Sequence, residues 1–148
     1  MNSNLIHILL ADDDEDDRLL FKEAVERGKM RAKITFLNDG VKLMEYLLKP
    51  DRILPQVVFL DLNMPRKNGL ECLREIRGHD ILKNLSVVIY STSSSFEDVE
   101  ETFAQVANIY IKKPNDFGVL KKIISEVLGL NWKYHTSGCN RESYLLSV

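Results

Sequence analysis

Residues 7–21 read HILLADDDEDDRLLF, a short aliphatic run followed directly by six consecutive acidic residues. A run of about five apolar residues that stops at charge is typical of a strand buried on both faces of a parallel sheet. Behind the charges, apolar residues recur at helical spacing, at Leu20, Phe21, Ala24 and Val25. The stretch therefore predicts a buried strand, an acidic turn and an amphipathic helix in direct succession.

The same unit of strand, turn and helix recurs along the chain. Four further short apolar or alternating runs lie at residues 32–36, 56–60, 87–90 and 109–111, and a helical pattern follows each. The fourth of the five helical patterns extends to Val106. Five such units favour an α/β fold with a doubly wound, five-stranded parallel sheet, helices on both faces and right-handed crossovers.

Composition limits the class of protein. The chain has 148 residues, of which 45% are hydrophobic and 28% are charged, and this suits one domain. We expect that domain at residues 1–130, with residues 131–148 as a flexible C-terminal tail. The 20 Lys and Arg against 22 Asp and Glu create no basic field for nucleic acid or anionic lipid. With no apolar run of membrane-spanning length and no signal peptide, we expect a cytoplasmic protein without membrane or nucleic-acid partners.

Polar side chains follow four of the five predicted strands. Asp12-Asp13-Asp14 follows the first, Asp61 the third, Ser91-Thr92 the fourth and Lys112-Lys113 the fifth. In an open parallel sheet, ligands bind beyond the carboxyl ends of the strands, where the winding direction reverses. We therefore expect carboxylates, a hydroxyl and an ammonium group to meet at one edge of the sheet.

Carboxylates brought together in this way need a counter-charge. Two of them about 4 Å apart repel by roughly 4 kcal/mol at the effective dielectric constant of a protein surface. Mg²⁺ prefers such hard oxygen ligands and shares them with phosphate oxygens. A lysine and a hydroxyl then suit a phosphoryl group, and a carboxylate can act as the nucleophile that accepts it. The pattern indicates Mg²⁺-dependent phosphoryl chemistry.

Four motifs in this order, ILLADDD, FLDLNMPRKNG, VVIYSTSSS and YIKKPNDF, resemble the receiver domain of two-component response regulators over residues 5–130. The resemblance implies a flavodoxin-like fold with strand order 2-1-3-4-5. It also implies a single-domain regulator, not an enzyme, that accepts a phosphoryl group from a histidine kinase or phosphotransfer protein and signals through protein contacts. A homodimer through the fourth helix, fifth strand and fifth helix is part of this expectation.

Three further motifs narrow the resemblance. DDDEDDRLLFKEA, FLNDGVKLMEYL and LNMPRKNG are similar to the single-domain regulators that work with bacterial phytochrome-type kinases. The expected partner is therefore a sensor histidine kinase of that type, whereas nothing in the motifs identifies a downstream protein.

The resemblance also assigns the acceptor and the metal site. Asp61 would accept the phosphoryl group, while Asp12, Asp13 and Asp61 would hold Mg²⁺ with the backbone carbonyl of Asn63. The register of the acidic pair stays open, because counting from the aliphatic run favours Asp12 and Asp13 but leaves Asp13 and Asp14 as the alternative.

The remaining roles fall on the fourth and fifth strands. Lys113 would pair with a phosphoryl oxygen and Ser91 would contact another, with Thr92 as the alternative hydroxyl. Ser91 is favoured because it is the first residue after the apolar run. The resemblance implies that Tyr110 is the aromatic residue that turns inward when the site is occupied.

The rest of the acidic run has a simpler interpretation. Residues 14–17 begin the first helix, where a capping carboxylate and the helix dipole contribute about 0.3–1 kcal/mol each. The run also imitates an EF-hand calcium loop, but Asp17 stands where that loop needs Gly. We therefore interpret residues 14–17 as a helix start.

A Mg²⁺-dependent phosphatase or phosphotransferase with an aspartate nucleophile is the alternative from another class. Such enzymes need a second acid two residues past the nucleophile to protonate the leaving group, and Asn63 stands there. A nucleotide-binding module is a third interpretation, but no Gly-rich phosphate loop follows the first strand. Both absences favour the receiver.

Overall fold

Strands and helices alternate along the chain as the apolar pattern predicts. The computed structural model describes residues 5–130 and 144–146. The strands are β1 (Ile6–Ala11), β2 (Ala32–Leu37), β3 (Val57–Leu60), β4 (Ser86–Ser91), β5 (Ile109–Lys112) and β6 (Leu145–Leu146). The helices are α1 (Glu15–Glu26), α2 (Gly40–Leu48), α3 (Gly69–Gly78), α4 (Phe96–Ala104) and α5 (Phe117–Leu128). Among these described helices, none has the length and apolar character needed to cross a membrane.

The strands form one parallel sheet in the order β2-β1-β3-β4-β5-β6. The predicted doubly wound sheet with order 2-1-3-4-5 is therefore confirmed, with a sixth strand added beside β5. The chain winds outward from β1 to β2 and then back to β3, so the winding direction reverses between β1 and β3. A crevice is expected at the carboxyl ends of these two strands.

Each face of the sheet carries its own apolar core. Within β1, Ile8 and Leu10 join the cluster that packs against α1 and α5, whereas Leu9 and Ala11 join the cluster against α2 and α3. All four side chains are fully buried, because successive residues of a strand point to opposite faces. This two-sided burial fixes the strand register and so the positions of the residues that follow each strand.

Three residues of the predicted C-terminal tail, 144–146, lie against the sheet, and the flexibility of residues 131–148 stays a prediction. Tyr144 is only 1% exposed, and Leu145 and Leu146 pair with β5. An unpaired edge strand presents free N–H and C=O groups, and the N–H of Tyr110 donates to the carbonyl of Tyr144 at 2.8 Å. Residues 131–143 and 147–148 lie outside the described residues, and the domain boundary at residue 130 stays a prediction.

The fourth helix is shorter than its apolar spacing predicts. Val106 continues the pattern, but α4 ends at Ala104 and Val106 has a φ of 65°. The N–H of Val106 donates to the carbonyl of Phe103 at 2.9 Å. The apolar side chain at Val106 therefore belongs to a left-handed turn that follows the helix, which helical spacing alone cannot distinguish from another helical turn.

Candidate functional site

The carboxyl ends of the central strands bring the polar residues together as predicted. Asp12 follows β1, Asp61 follows β3, and the N–H of Asp61 donates to the carbonyl of Ala11 at 3.0 Å. On the other side, Ser91 closes β4, and the N–H of Lys113 donates to the carbonyl of Ser91 at 2.7 Å. The ladder of the parallel sheet therefore positions the acceptor candidate between the acidic turn and the lysine.

Lys113 lies at the centre of an ionic cluster. Its Nζ is 2.7 Å from Asp12 Oδ2, 2.8 Å from Asp17 Oδ2 and 3.4 Å from Asp61 Oδ2. It also lies 5.2 Å from the centre of the Tyr90 ring. Burial by itself would lower the pKa of Lys113, but its contacts with Asp12, Asp17 and Asp61 outweigh burial and raise it. The ammonium group is therefore a permanent positive charge beside Asp61.

Burial dominates the ionisation of Asp61. The residue is 5% exposed, and burial raises the pKa of its carboxyl group from 3.8 to about 6. The positive charge of Lys113 opposes this rise, and the negative charge of Asp12 adds to it. Asp61 Oδ1 accepts a hydrogen bond from the Asn63 N–H at 3.3 Å. At neutral pH the carboxylate is thus mostly ionised, held in place and poorly solvated.

Three carboxylates are placed to share one cation. Oxygens of Asp12, Asp13 and Asp61 lie within 4.8 Å of one another. Asp12 and Asp61 are buried and Asp13 is exposed, so the site is open to solvent on one side. Asp12 Oδ2 is buried and is paired with Lys113 Nζ at 2.7 Å. Three carboxylates gathered around a solvent-open space carry more negative charge than one lysine balances, and their hard oxygens fit a divalent cation.

The acidic run divides between this cluster and the helix start. The side chain of Asp14 caps α1 by accepting from the Asp17 N–H at 3.0 Å. The backbone N–H of Asp14 donates to Asp12 Oδ1 at 3.0 Å. This geometry favours Asp12 and Asp13 over Asp13 and Asp14 as the metal-binding pair. A strand, not a helix, precedes the run, which excludes the incoming helix of an EF-hand loop.

Two residues of the site were missed by the sequence interpretation. Asp17 belongs to the predicted helix start, yet its carboxylate pairs with Lys113, 96 positions away. Arg18 Nη1 donates to the carbonyl of Asp12 at 2.8 Å. The sequence feature that could have indicated these two residues is their spacing from the acidic turn. Asp17 lies about one helical turn after the Asp14 cap, and Arg18 is the next residue.

The hydroxyl candidates differ in burial. Ser91 is fully buried, and its Oγ accepts from the Ser93 N–H at 3.2 Å. Thr92 is exposed, so Ser91 fits an inward role better. Tyr110 is fully buried as well, and its hydroxyl donates to the carbonyl of Ser93 at 2.6 Å. The predicted roles of Ser91 and Tyr110 in a switch stay predictions.

The loop from Asp61 to α3 explains the last residues of the motif LNMPRKNG. A Cβ at Gly69 would lie 2.3 Å from the carbonyl oxygen of Asp61, so only glycine fits this close approach. The N–H of Gly69 donates to the carbonyl of Leu62 at 2.9 Å. The loop is thereby folded back onto the acceptor candidate, where Asn63 is exposed and its N–H faces Asp61.

Comparison with known proteins identifies the family. The model of the response regulator receiver domain matches residues 8–125. The probable methanogenesis regulatory protein FilR2 of Methanothrix harundinacea is 33% identical over 123 residues, which are 81% of this chain and 79% of that protein. Response regulator Rcp1 of Synechocystis is 30% identical over 124 residues, which are 81% of this chain and 84% of that protein.

Solved structures give the same result. The phosphorylated cyanobacterial phytochrome response regulator RcpA matches with a TM-score of 0.79 at 29% identity, covering 90% of this chain and 99% of that one. The bacteriophytochrome response regulator RtBRR matches with a TM-score of 0.72 at 31% identity, covering 86% and 80%. The resemblance to the regulators of phytochrome-type kinases is therefore confirmed.

Proposed function

The chain belongs to the response regulator receiver domain family, and from this premise we propose that it is a single-domain response regulator that accepts a phosphoryl group on Asp61 in a Mg²⁺-dependent reaction. The observation that carries the proposal is the convergence of Asp61, two further carboxylates and Lys113 at one edge of the sheet. A cluster of buried charges is a poor way to stabilise the end of a sheet, because burying charged groups costs free energy that their pairing often does not repay. The cluster is therefore better explained by a function.

Asp61 supplies the nucleophile in this proposal. Its carboxylate is ionised at neutral pH and has few partners, so an oxygen is available to attack phosphorus while the bond to the donor group breaks. Asp12, Asp13, Asp61 and the carbonyl of Asn63 would hold Mg²⁺, which neutralises charge on the phosphoryl oxygens. Lys113 is already 3.4 Å from Asp61 Oδ2 and offers a fixed positive charge to the incoming group.

The donor in this proposal is a histidine kinase or a phosphotransfer protein. Solved relatives are described as phytochrome and bacteriophytochrome response regulators, and this supports a kinase of the phytochrome type. The exposed Asp13 leaves one side of the site open to solvent, which gives the phosphohistidine of a partner a route to Asp61.

The output in this proposal is a change of protein contacts. Ser91 is the group that an occupied site draws toward the phosphoryl oxygen, and Tyr110 is joined to the same loop through Ser93. Movement there alters the surface formed by α4, β5 and α5, on which β6 covers the edge of β5. The exposed parts of α4 and α5 on either side of β6 would bind a downstream protein or a second copy of the chain. Phe96, at the start of α4, is 78% exposed on that surface.

Radiolabelled acetyl phosphate separates this function from the enzyme alternative. With Mg²⁺, the wild-type protein is expected to take up at most one phosphoryl group per chain, and Asp61→Asn is expected to take up none. Lys113→Ala is expected to bind Mg²⁺ but to give much less label, because the charge beside the acceptor is lost. Sustained release of an alcohol from an added phosphate monoester, over many turnovers, would instead support a phosphatase or phosphotransferase.

A further inference from the structure

The side chain of Tyr144 fills the space between β5 and α4. It is 1% exposed, and its ring lies edge-on to Phe103 at 5.2 Å and to Tyr110 at 6.1 Å between centroids. Its hydroxyl donates to Thr102 Oγ1 at 2.6 Å. Edge-to-face aromatic contacts of this kind stabilise a fold beyond the area that they bury. Residues 144–146 are thus anchored by one large, well-packed residue.

One series of contacts leads from Tyr144 through Tyr110 of β5 to Ser93, in the loop after β4. The carbonyl of Tyr144 accepts from the N–H of Tyr110 at 2.8 Å, and the two rings pack together. The hydroxyl of Tyr110 donates to the carbonyl of Ser93 at 2.6 Å. Rotation of Tyr110 out of this position would lose both the Ser93 hydrogen bond and the ring contact with Tyr144.

A second series of hydrogen bonds leads from Tyr144 to Ser93 through helix α4. The hydroxyl of Thr102, which accepts from Tyr144, donates in turn to the carbonyl of Asp98 at 2.8 Å. The carboxylate of Asp98 accepts from the Ser93 hydroxyl at 2.6 Å. Both series therefore converge on Ser93, whose N–H donates to Ser91 Oγ.

We infer that Tyr144 is a positioning residue that holds Tyr110 in its buried position, so that docking of β6 and occupation of Asp61 favour each other. The inference rests on the proposed function, in which an occupied site requires Tyr110 to be turned inward. Coupling between two sites is reciprocal. A phosphoryl group at Asp61 should therefore tighten β6 against β5, and loss of the Tyr144 side chain should weaken whatever binds at Asp61.

Beryllofluoride with Mg²⁺ is the probe, because it mimics a phosphoryl group on an aspartate. Tyr144→Ala is expected to need at least about fivefold more beryllofluoride for half-saturation, the lower end of ordinary allosteric coupling. Tyr144→Phe keeps the ring but loses the Thr102 hydrogen bond, so a smaller shift is expected. Tyr46→Ala removes the same atoms from the partly buried Tyr46 of α2, away from β5, and is expected to bind like the wild type.

Amide hydrogen exchange gives the reciprocal measurement, because the Tyr110 N–H is bonded to Tyr144. Saturating beryllofluoride should slow exchange of this amide in the wild type and not in Tyr144→Ala. Equal half-saturation in the wild type, Tyr144→Phe and Tyr144→Ala, with unchanged Tyr110 exchange, would overturn the inference while leaving the proposed function intact. A wild-type protein that binds no beryllofluoride would contradict the proposed function, and the inference would fall with it.

Discussion

Asp61 has an ionised side chain that its surroundings solvate poorly. Burial is the largest influence on its carboxyl group, and the pKa is raised to about 6. A folded-state pKa above the unfolded value means that ionised Asp61 destabilises the fold. The same property favours ligands that balance or remove this negative charge. Such a ligand is a bound cation, or a phosphoryl group attached to Asp61 next to a cation.

Asp61→Asn is therefore expected to raise the free energy of unfolding of the metal-free protein by about 1–3 kcal/mol at pH 7. The unfolded carboxyl group releases its proton near pH 3.8 and the folded one near pH 6. The penalty is complete above pH 6, shrinks as the pH falls toward 3.8, and is absent below both values. Urea denaturation of the wild type and the variant at pH 7 and at pH 4 measures the difference.

Asp51→Asn, which changes an exposed carboxylate in the loop after α2, is the matched control. It is expected to alter stability by less than about 0.5 kcal/mol at either pH. A stabilisation by Asp61→Asn that was the same at pH 4 and pH 7 would show that ionisation is not its cause.

Sequence reasoning reached the central residues of the site because each follows a recognisable strand. Asp12 and Asp61 stand directly behind apolar runs and Lys113 stands two residues behind one. The topology of a parallel sheet brings such positions together. Asp17 was not recognised, since a carboxylate in the first turn of a helix is already explained by capping and the helix dipole. Only its distance from Lys113, which depends on the tertiary fold, shows the second role.

At the scale of the element, α1 begins at the acidic turn and shares it with the candidate metal site. Asp14→Ala is expected to lower the free energy of unfolding by about 1 kcal/mol, because the cap accepts from the Asp17 N–H. The Mg²⁺ affinity should stay close to that of the wild type, whereas Asp13→Ala should weaken it. Urea denaturation and a Mg²⁺ titration of both variants test the assignment.

Asp16→Ala is the control for this helix, since Asp16 is exposed in the same first turn and does not cap it. A smaller loss of stability is expected from it. If Asp14→Ala weakened Mg²⁺ binding as much as Asp13→Ala, the alternative pair of Asp13 and Asp14 would be correct.

At the opposite edge of the sheet, Arg77 joins α3 to two loops. Its guanidinium donates to the carbonyl of Val106 at 2.8 Å, to the carbonyl of Leu85, and to Asn108 Oδ1 at 3.0 Å. Val106 is β-branched in a left-handed conformation, which costs free energy unless its surroundings hold it. The planar guanidinium group reaches all three acceptors because it carries several N–H donors in a fixed geometry.

Arg77→Lys is therefore expected to lower the free energy of unfolding by about 2–3 kcal/mol, because a lysine cannot satisfy these acceptors together. Denaturation in urea measures the loss. Arg74→Lys makes the same change at an exposed position of α3 and is expected to be nearly neutral. Equal effects of the two substitutions would mean that the hydrogen-bonded fork contributes little.

The elements themselves were predictable where their apolar pattern is long enough to be read. β1, β3 and β4 are buried on both faces and appear as continuous apolar runs. β6 has only two residues and therefore no period, so nothing in the local sequence distinguishes it from a loop. Its position depends on the free edge of β5 and on the space that Tyr144 fills.

For the whole molecule, the alternation of strands and helices predicts a parallel sheet but leaves the order of its strands undetermined. The order came from the resemblance to the receiver family. It matters because only the reversal between β1 and β3 brings Asp12 and Asp61 to neighbouring positions. The site is therefore a property of the topology, and a single strand–helix unit does not contain it.

The position of the phosphoryl group on the chain is the most direct test of Asp61 as the acceptor. The protein is treated with acetyl phosphate, the acyl phosphate is reduced with borohydride, and the modified residue is located by peptide mass spectrometry. Modification is expected at Asp61 alone, and only when Mg²⁺ is present. Modification at Asp12 or Asp13, or equal modification of Asp61 without a divalent cation, would contradict this expectation.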